Sequence, residues 1–98
     1  LEFQSWGDDF PVSISFGALA KDTTQRTNIV NNLVENGVET RIYSAGNLGR
    51  HPFWVEEYGL FSDEMSDRIH ETGFFLPNYP ELALEEVDII CDIVKAAL

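Results

Sequence analysis

The side chains best suited to binding an anion are gathered in one stretch of the sequence, residues 37–52. Two of the six basic residues, Arg41 and Arg50, lie there, although the formal net charge of the chain is -11. Residues 44–52 are rich in glycine, asparagine and arginine and lack the periodicity of a helix or strand. Backbone amides beside glycines, together with a guanidinium group, can grip a phosphate. The stretch therefore predicts a loop that binds an anionic or sugar-like ligand. A glycine-rich connection with a solvent-exposed arginine is the alternative.

Other kinds of site find little support in the sequence. The stretch has neither the G-x-x-x-x-G-K nor the G-x-G-x-x-G pattern of nucleotide-binding loops. His51 and His70 are far apart, and neither is spaced from cysteine as zinc ligands are. Cys91 falls on the apolar stripe of the last predicted helix, where we expect a core residue rather than a nucleophile. Because no triad or pair of catalytic acids can be assembled, an enzyme acting on its own is the minority hypothesis.

Local signals before the loop predict a strand followed by a helix. Apolar residues alternate with small or polar ones from Val12 to Leu19, as in a strand with one buried face. Asp22 is a good N-cap for a helix over about residues 23–36. Gly37 stands where a left-handed residue ends a helix. The order strand, helix, strand leads directly into the loop.

The second predicted strand, residues 38–43, delivers charged and aromatic side chains to the loop. Arg41 and Tyr43 share one face of it, and Thr40 and Ile42 share the other. We expect helices to cover one face of the sheet. The face with Arg41 and Tyr43 would then look toward something else.

The second half of the chain predicts two further helices around a short strand. Ser62 is the expected N-cap of the first helix, and Gly73 ends it. Phe74 to Leu76 predict a buried strand, and the last helix covers about residues 83–97. The predicted fold class is therefore α/β, an α+β two-layer sandwich in which helices cover a small three-stranded sheet.

Length and composition restrict the class of protein. Ninety-eight residues form one small domain. Seventeen acidic against six basic residues would repel a phosphate backbone, so we expect no nucleic-acid partner. No apolar run reaches the ~20 residues that span a bilayer, so we expect no membrane segment. A lone cysteine fits a reducing, cytoplasmic location.

The chain as given lacks an initiator methionine, since Met65 is the only methionine. We therefore expect a piece of a longer protein. Two aromatic residues near its start, Trp6 and Phe10, would then be either core or rim packing or a surface that a missing neighbour covers.

Several segments resemble one known family. Residues 37–41 and 45–52 resemble the C-terminal region of the DegT/StrS-type nucleotide-sugar enzymes, which have the aminotransferase fold and use pyridoxal phosphate. Residues 66–75, where a helix leads into a G-F-F strand, resemble its 3-dehydratase branch, which acts on GDP- or CDP-linked 4-keto-6-deoxy sugars. Residues 76–80 depart from that branch, which leaves the exact branch and the nucleotide open.

The resemblance implies that residues 1–98 are the C-terminal small domain of a larger enzyme, like the small domain of fold-type I aminotransferases. Residues 1–10 would link it to an N-terminal large domain that the sequence lacks. The parent would be a cytoplasmic homodimer in deoxysugar and lipopolysaccharide O-antigen biosynthesis, either a 3-dehydratase or an aminotransferase. Its pyridoxal phosphate would lie in the large domain. Lys21 and Lys95 match no cofactor motif, so we expect this chain to hold no cofactor covalently.

The resemblance also allocates the candidate substrate contacts. Arg41, Asn47 and Arg50 would bind the diphosphate or the sugar hydroxyls of a nucleotide-diphosphate sugar while this domain closes the active site. Tyr43 and His51 are secondary candidates. Arginine suits a diphosphate because its planar fork matches the phosphate oxygens.

Two other hypotheses remain open on the sequence alone. The chain would be a freestanding small-molecule or protein-binding module without catalytic activity. Alternatively, it would be an oligomerisation piece that forms a tight dimer through Phe3, Trp6, Phe53 and Trp54.

Overall fold

The structure is a computed structural model that describes residues 1–4, 7–9 and 13–98. Trp6, Phe10 and the predicted beginning of a strand at Val12 lie outside the described residues. The elements follow in chain order: β1 (Glu2–Phe3), β2 (Ser15–Leu19), α1 (Thr23–Glu35), β3 (Arg41–Ile42), a 3-10 helix (Leu48–Arg50), α2 (Pro52–Tyr58), α3 (Glu64–Thr72), β4 (Gly73–Pro77) and α4 (Leu84–Ala96).

Within the described residues the strands form one antiparallel sheet in the order β1-β2-β4-β3. Ala18 pairs with Phe74, whereas Gly17 and Arg41 both pair with Phe75. Since paired residues point to the same side, Ala18 and Phe74 share one face and Arg41 shares the other with Phe75. The predicted α/β fold class is confirmed. The predicted strand number was wrong: the sheet has four strands, because the two-residue β1 pairs with the outer edge of β2.

Helices α1 and α4 cover the Ala18 face of the sheet. Ile29 and Leu33 of α1 are fully buried there, beside Phe74 of β4 and Val94 of α4. Burial of a side chain of this size stabilises the fold by about 1.5–3 kcal/mol. Among the described residues, the buried hydrophobic cluster lies on this face of the sheet, and Arg41 lies on the other.

Helix α1 begins and ends at signals that the sequence carries locally. The carboxylate of Asp22 accepts a hydrogen bond from the Gln25 amide at 2.7 Å. Gly37 has φ +73°, and the Val38 amide donates back to the Leu33 carbonyl at 2.9 Å. This is the Schellman arrangement, which satisfies helix-end carbonyls. It fixes the point where the chain turns toward β3.

The beginning of α3 differs from the prediction by one residue. Asp63, not Ser62, is the N-cap, and its carboxylate accepts from the Ser66 amide at 3.0 Å. The Ser62 hydroxyl is engaged elsewhere, because it donates to Asp67. Ser62 therefore lies in the loop between α2 and α3, and its hydroxyl binds Asp67 instead of capping the helix.

Cys91 is exposed, so the prediction that it lies in the core was wrong. The α4 residues that pack toward the core are Ile90, Ile93 and Val94, joined by Ala97 just after the helix. Cys91 is one position off this stripe, which rotates its side chain by about 100° away from it. Within the described ranges, no helix has the length and apolar character needed to cross a bilayer.

Candidate functional site

The loop after β3 is a tight turn followed by one turn of 3-10 helix. The Gly46 amide donates to the Tyr43 carbonyl at 2.9 Å, and both Ser44 and Gly46 have positive φ, +50° and +64°. A Cβ at Gly46 would lie 2.5 Å from Nδ1 of His70. Glycine is needed at this position both for its φ and for the close approach of α3. Residues 44–51 are called the 44–51 loop below.

Asn47 holds the loop together from inside. Its side chain is only 4% exposed. Nδ2 donates to the Phe61 carbonyl at 3.0 Å and to Oδ1 of Asp67 at 2.9 Å, while its own Oδ1 accepts from the Gly49 amide at 2.9 Å. Both donor hydrogens of the amide are therefore used within the chain. Asn47 is placed to fix the loop's conformation.

Two histidines meet at the loop, with ring centroids 6.2 Å apart. Nδ1 of His70 is 3.0 Å from the Asn47 amide and must accept its hydrogen. His70 is thus neutral with its proton on Nε2. Nε2 of His51 lies 2.6 Å from the Ala45 carbonyl, which can only accept, so this nitrogen carries a proton. Burial, and then the charge of Arg50, lower the pKa of His70.

Arg50 is held at one nitrogen by two carboxylates of α3. Its Nη1 lies 3.1 Å from Oε1 of Glu71 and 3.5 Å from Oδ1 of Asp67. The Ser62 hydroxyl, followed by the Asn47 amide, lowers the pKa of Asp67, and Arg50 adds to this. Nε and Nη2 of Arg50 make no hydrogen bond to the described residues, so the guanidinium keeps donors for an anion.

Arg41 is not brought into this cluster. Its Nη2 pairs with Oε1 of Glu39 at 3.0 Å, and both side chains are about three-quarters exposed. Arg41 and Arg50 share no carboxylate among the described residues. An exposed pair of this kind contributes little to stability, so Arg41 is available to a ligand.

Tyr43 packs across the open face of the sheet. Its ring centroid lies 4.6 Å from that of Phe75, and its hydroxyl donates to Oε1 of Gln4 at 3.2 Å. The ring occupies the space that side chains at Gly17 and Gly73 would need. Tyr43 therefore joins strands, whereas Asn47, Arg50 and His51 lie together in the loop.

A cavity of about 550 Å³ lies away from the loop, between the end of β4 and α4. Val38, Leu76 and other apolar residues line it, with Arg41 beside Glu39 and Glu86. Arg50 of the 44–51 loop also faces two carboxylates, Asp67 and Glu71, so the charge balance does not separate the two places. The loop is the better anion candidate because hydrogen bonds at Asn47 fix its conformation beside Arg50, whereas Arg41 is paired only with the exposed Glu39 among the described residues.

The lysines of this chain do not fit a covalently bound pyridoxal phosphate, which needs a lysine amine beside a pocket. Lys21 precedes α1 and Lys95 lies in the last turn of α4, and both are exposed. Neither lines a cavity described here. In the part of the chain that the structure describes, neither lysine is therefore placed to fit a Schiff base.

The supporting residues from α3 were not singled out from the sequence. The two carboxylates among them are Asp67 and Glu71. Their spacing of four residues, with His70 between them, does place all three on neighbouring positions of one helix face. In the sequence, the site could have been found from this spacing of two carboxylates and a histidine on one predicted helix, combined with an arginine in the preceding loop.

One family comparison covers nearly the whole chain. The model of the DegT/DnrJ/EryC1/StrS aminotransferase family matches residues 2–95. A comparison with curated proteins gives no match. The family that the sequence resembles is thereby confirmed, whereas the 3-dehydratase branch stays a prediction. With its sheet, its two covering helices and a match over residues 2–95, this chain belongs to the DegT/DnrJ/EryC1/StrS aminotransferase family.

Proposed function

We propose that this chain is the C-terminal small domain of a nucleotide-sugar enzyme that uses pyridoxal phosphate. In this proposal the 44–51 loop contacts the substrate and helps to close the active site over it. The observation that carries the proposal is Arg50, held by Glu71 at 3.1 Å through one nitrogen while its other nitrogens stay available. Family membership supplies the kind of reaction.

The diphosphate of a nucleotide sugar is the part of the substrate that suits Arg50. A guanidinium can donate two parallel hydrogen bonds to phosphate oxygens. Glu71 and Asp67 orient it and partly neutralise it, so the ligand must compete with them for the charge. His51 stands next to Arg50 in the chain and would face the same ligand. Asn47 would act by shaping the loop.

Arg41 and Tyr43 would meet the substrate at a different place from the loop. Arg41 is exposed on an edge strand and is paired only with Glu39 among the described residues. It suits a sugar hydroxyl or a second phosphate oxygen. Tyr43 offers the phenol oxygen that Gln4 now contacts.

Pyridoxal phosphate, when bound, acts as an electron sink for carbanions next to its imine. Members of this family generally use it. In this proposal the N-terminal large domain of the parent supplies the lysine, or the histidine that replaces it in some dehydratases. The present chain would contribute one side of the active-site cleft and contacts to the substrate.

Within the family, we place the parent in the 3-dehydratase branch for 4-keto-6-deoxy sugars, with transamination as the other outcome. The support is the similarity of residues 37–52 and 66–75 to that branch. Such an enzyme would be a cytoplasmic homodimer that serves deoxysugar and lipopolysaccharide synthesis. Exposed apolar residues of α2 and its neighbours, among them Phe53 and Leu60 at 62% and 71% exposure, offer a surface for the large domain.

The test uses the full-length parent protein, with and without Arg50→Gln. We expect the absorbance band of bound pyridoxal phosphate in both, and a KM for the sugar nucleotide that rises roughly 10- to 100-fold in the variant. This range follows from the about 1.5–3 kcal/mol of a charge-assisted hydrogen bond. Arg68→Gln is the matched control, because Arg68 pairs with Glu2 and lies outside the loop. A parent protein without the cofactor, or equal KM values for the two variants, would refute the proposal.

A further inference from the structure

The inner edge of the 44–51 loop is bonded to α3 at two points on Asn47. The side chain of Asn47 donates to Asp67, and its backbone amide donates to Nδ1 of His70 at 3.0 Å. The bond to His70 is the one that fixes the backbone of the loop, one residue after the turn at Gly46, where φ is positive. The two side chains of α3 are one helical turn apart and therefore act on the loop as a pair.

His70 can accept this bond only while it is neutral. A protonated imidazole carries hydrogen on both ring nitrogens and has no acceptor left. Arg50 and His51 from the loop and Arg26 from α1 face His70 and favour its neutral form. Asp67, on the same helix as His70, favours the protonated form. Arg26 also donates to the His70 carbonyl at 2.8 Å, which fixes the end of α3.

We propose that His70 is a positioning residue that holds the 44–51 loop in its anion-binding conformation through its neutral Nδ1. The inference rests on the function proposed above. Protonation of His70 removes the acceptor and sets an N–H against the Asn47 amide, so the loop leaves this conformation. Affinity for an anionic ligand then falls as the pH falls.

The direction in which affinity changes with pH distinguishes a positioning role of His70 from a purely electrostatic one. A cationic His70 beside Arg50 adds positive charge to the site, and charge alone would strengthen anion binding at low pH. The two accounts predict opposite slopes. The probe must therefore keep a constant charge, and GDP-mannose does so because its diphosphate is fully ionised across the titration range of histidine.

The experiment compares the 98-residue chain with His70→Asn and His70→Ala. Oδ1 of asparagine lies as many bonds from the backbone as Nδ1 of histidine, so His70→Asn keeps an acceptor that does not titrate. Affinity for GDP-mannose is measured by NMR titration at about pH 7.5 and about pH 5.5. We expect the unmodified chain to lose affinity at the lower pH, by less than the roughly tenfold that a histidine with the ordinary pKa of about 6.5 would give, because the pKa of His70 is lowered. We expect His70→Asn to hold its affinity at both, and His70→Ala to bind about tenfold more weakly at both.

Two further NMR readouts test the loop itself and need no ligand. The ¹⁵N shifts of His70 should show an unprotonated Nδ1 in neutral solution. Hydrogen exchange of the Asn47 amide should be faster in His70→Ala and unchanged in His70→Asn. A protonated Nδ1, an unaltered exchange rate, or affinity that rises as the pH falls would overturn the positioning role. Failure of the unmodified chain to bind GDP-mannose, with both readouts as expected, would count against the proposed function alone.

Discussion

Replacing Asn47 tests whether one buried amide holds the candidate site. Asn47→Ala removes three hydrogen bonds, to Phe61, Asp67 and the Gly49 amide, and leaves the buried Gly49 N–H without a partner. Each neutral bond is worth about 1 kcal/mol net, and the bond to the carboxylate about 1.5–3 kcal/mol. Allowing for relaxation and entry of water, we expect a loss of about 3 kcal/mol of unfolding free energy.

Urea unfolding of the 98-residue chain at neutral pH, followed by circular dichroism, measures this loss. A change of this size corresponds to a fall in Tm of about 10–20 °C for a domain of about 100 residues. Asn31→Ala is the matched control, because Asn31 is exposed on α1 and should change the free energy by less than about 0.5 kcal/mol.

Asn47→Asp sharpens the test. The new side chain keeps the acceptor for the Gly49 amide but sets a second carboxylate against Asp67. We expect it to be at least as destabilising as alanine at neutral pH and to recover part of the loss in acid, where one of the two carboxylates is protonated. If Asn47→Ala costs no more than the Asn31 control, the buried network does not hold the loop and our reasoning about the site is wrong.

The remaining predictions concern the core and the pH dependence of stability. Phe74→Ala should cost about 3–5 kcal/mol in urea unfolding, because Phe74 is fully buried between the sheet and its helices, whereas Phe53→Ala at an exposed position should cost far less. The lowered pKa of His70 means that the unfolded chain binds the proton first, so stability should decline as the pH falls below the ordinary histidine value of about 6.5. His70→Asn should lack this decline, and a chain whose stability rises over that interval would contradict the assignment. The lowered pKa of Asp67 stabilises the fold above the ordinary aspartate value of about 3.8, and that stability should be lost in more acidic urea titrations.

The sequence predicted those elements whose signals are local. Both ends of α1 follow from Asp22 and Gly37, which act on residues within one helical turn. β1 was missed because a two-residue strand has no periodicity to detect, and it is defined only by pairing with β2. The exposure of Cys91 was missed because apolar spacing shows which residues of a helix can be buried. It does not show which of them face the rest of the core once the helix has packed.

In the candidate site, too, residues that stand close together in the sequence were identified, whereas partners distant in the sequence were not. Arg50, Asn47 and His51 were identified because they stand together in a stretch without periodicity. Their partners on α3 come much later in the chain, and only the folded structure shows that Asp67 and His70 meet Asn47. The separation of Arg41 from Arg50 was also invisible in the sequence, where both belong to the same short stretch.

The Tyr43 side chain, just after β3, fills the space above Gly17 of β2 and Gly73 of β4. The side-chain volumes at these three positions therefore depend on one another. A larger residue at Gly17 would displace the aromatic ring, whereas a Cβ at Gly73 would also lie 2.6 Å from the backbone oxygen of Ile69. A smaller residue at 43 would leave a groove across the sheet. Evolutionary change at positions 17 and 43 should consequently be concerted, with side-chain volume moving between β2 and the residue that follows β3 while the total stays nearly constant.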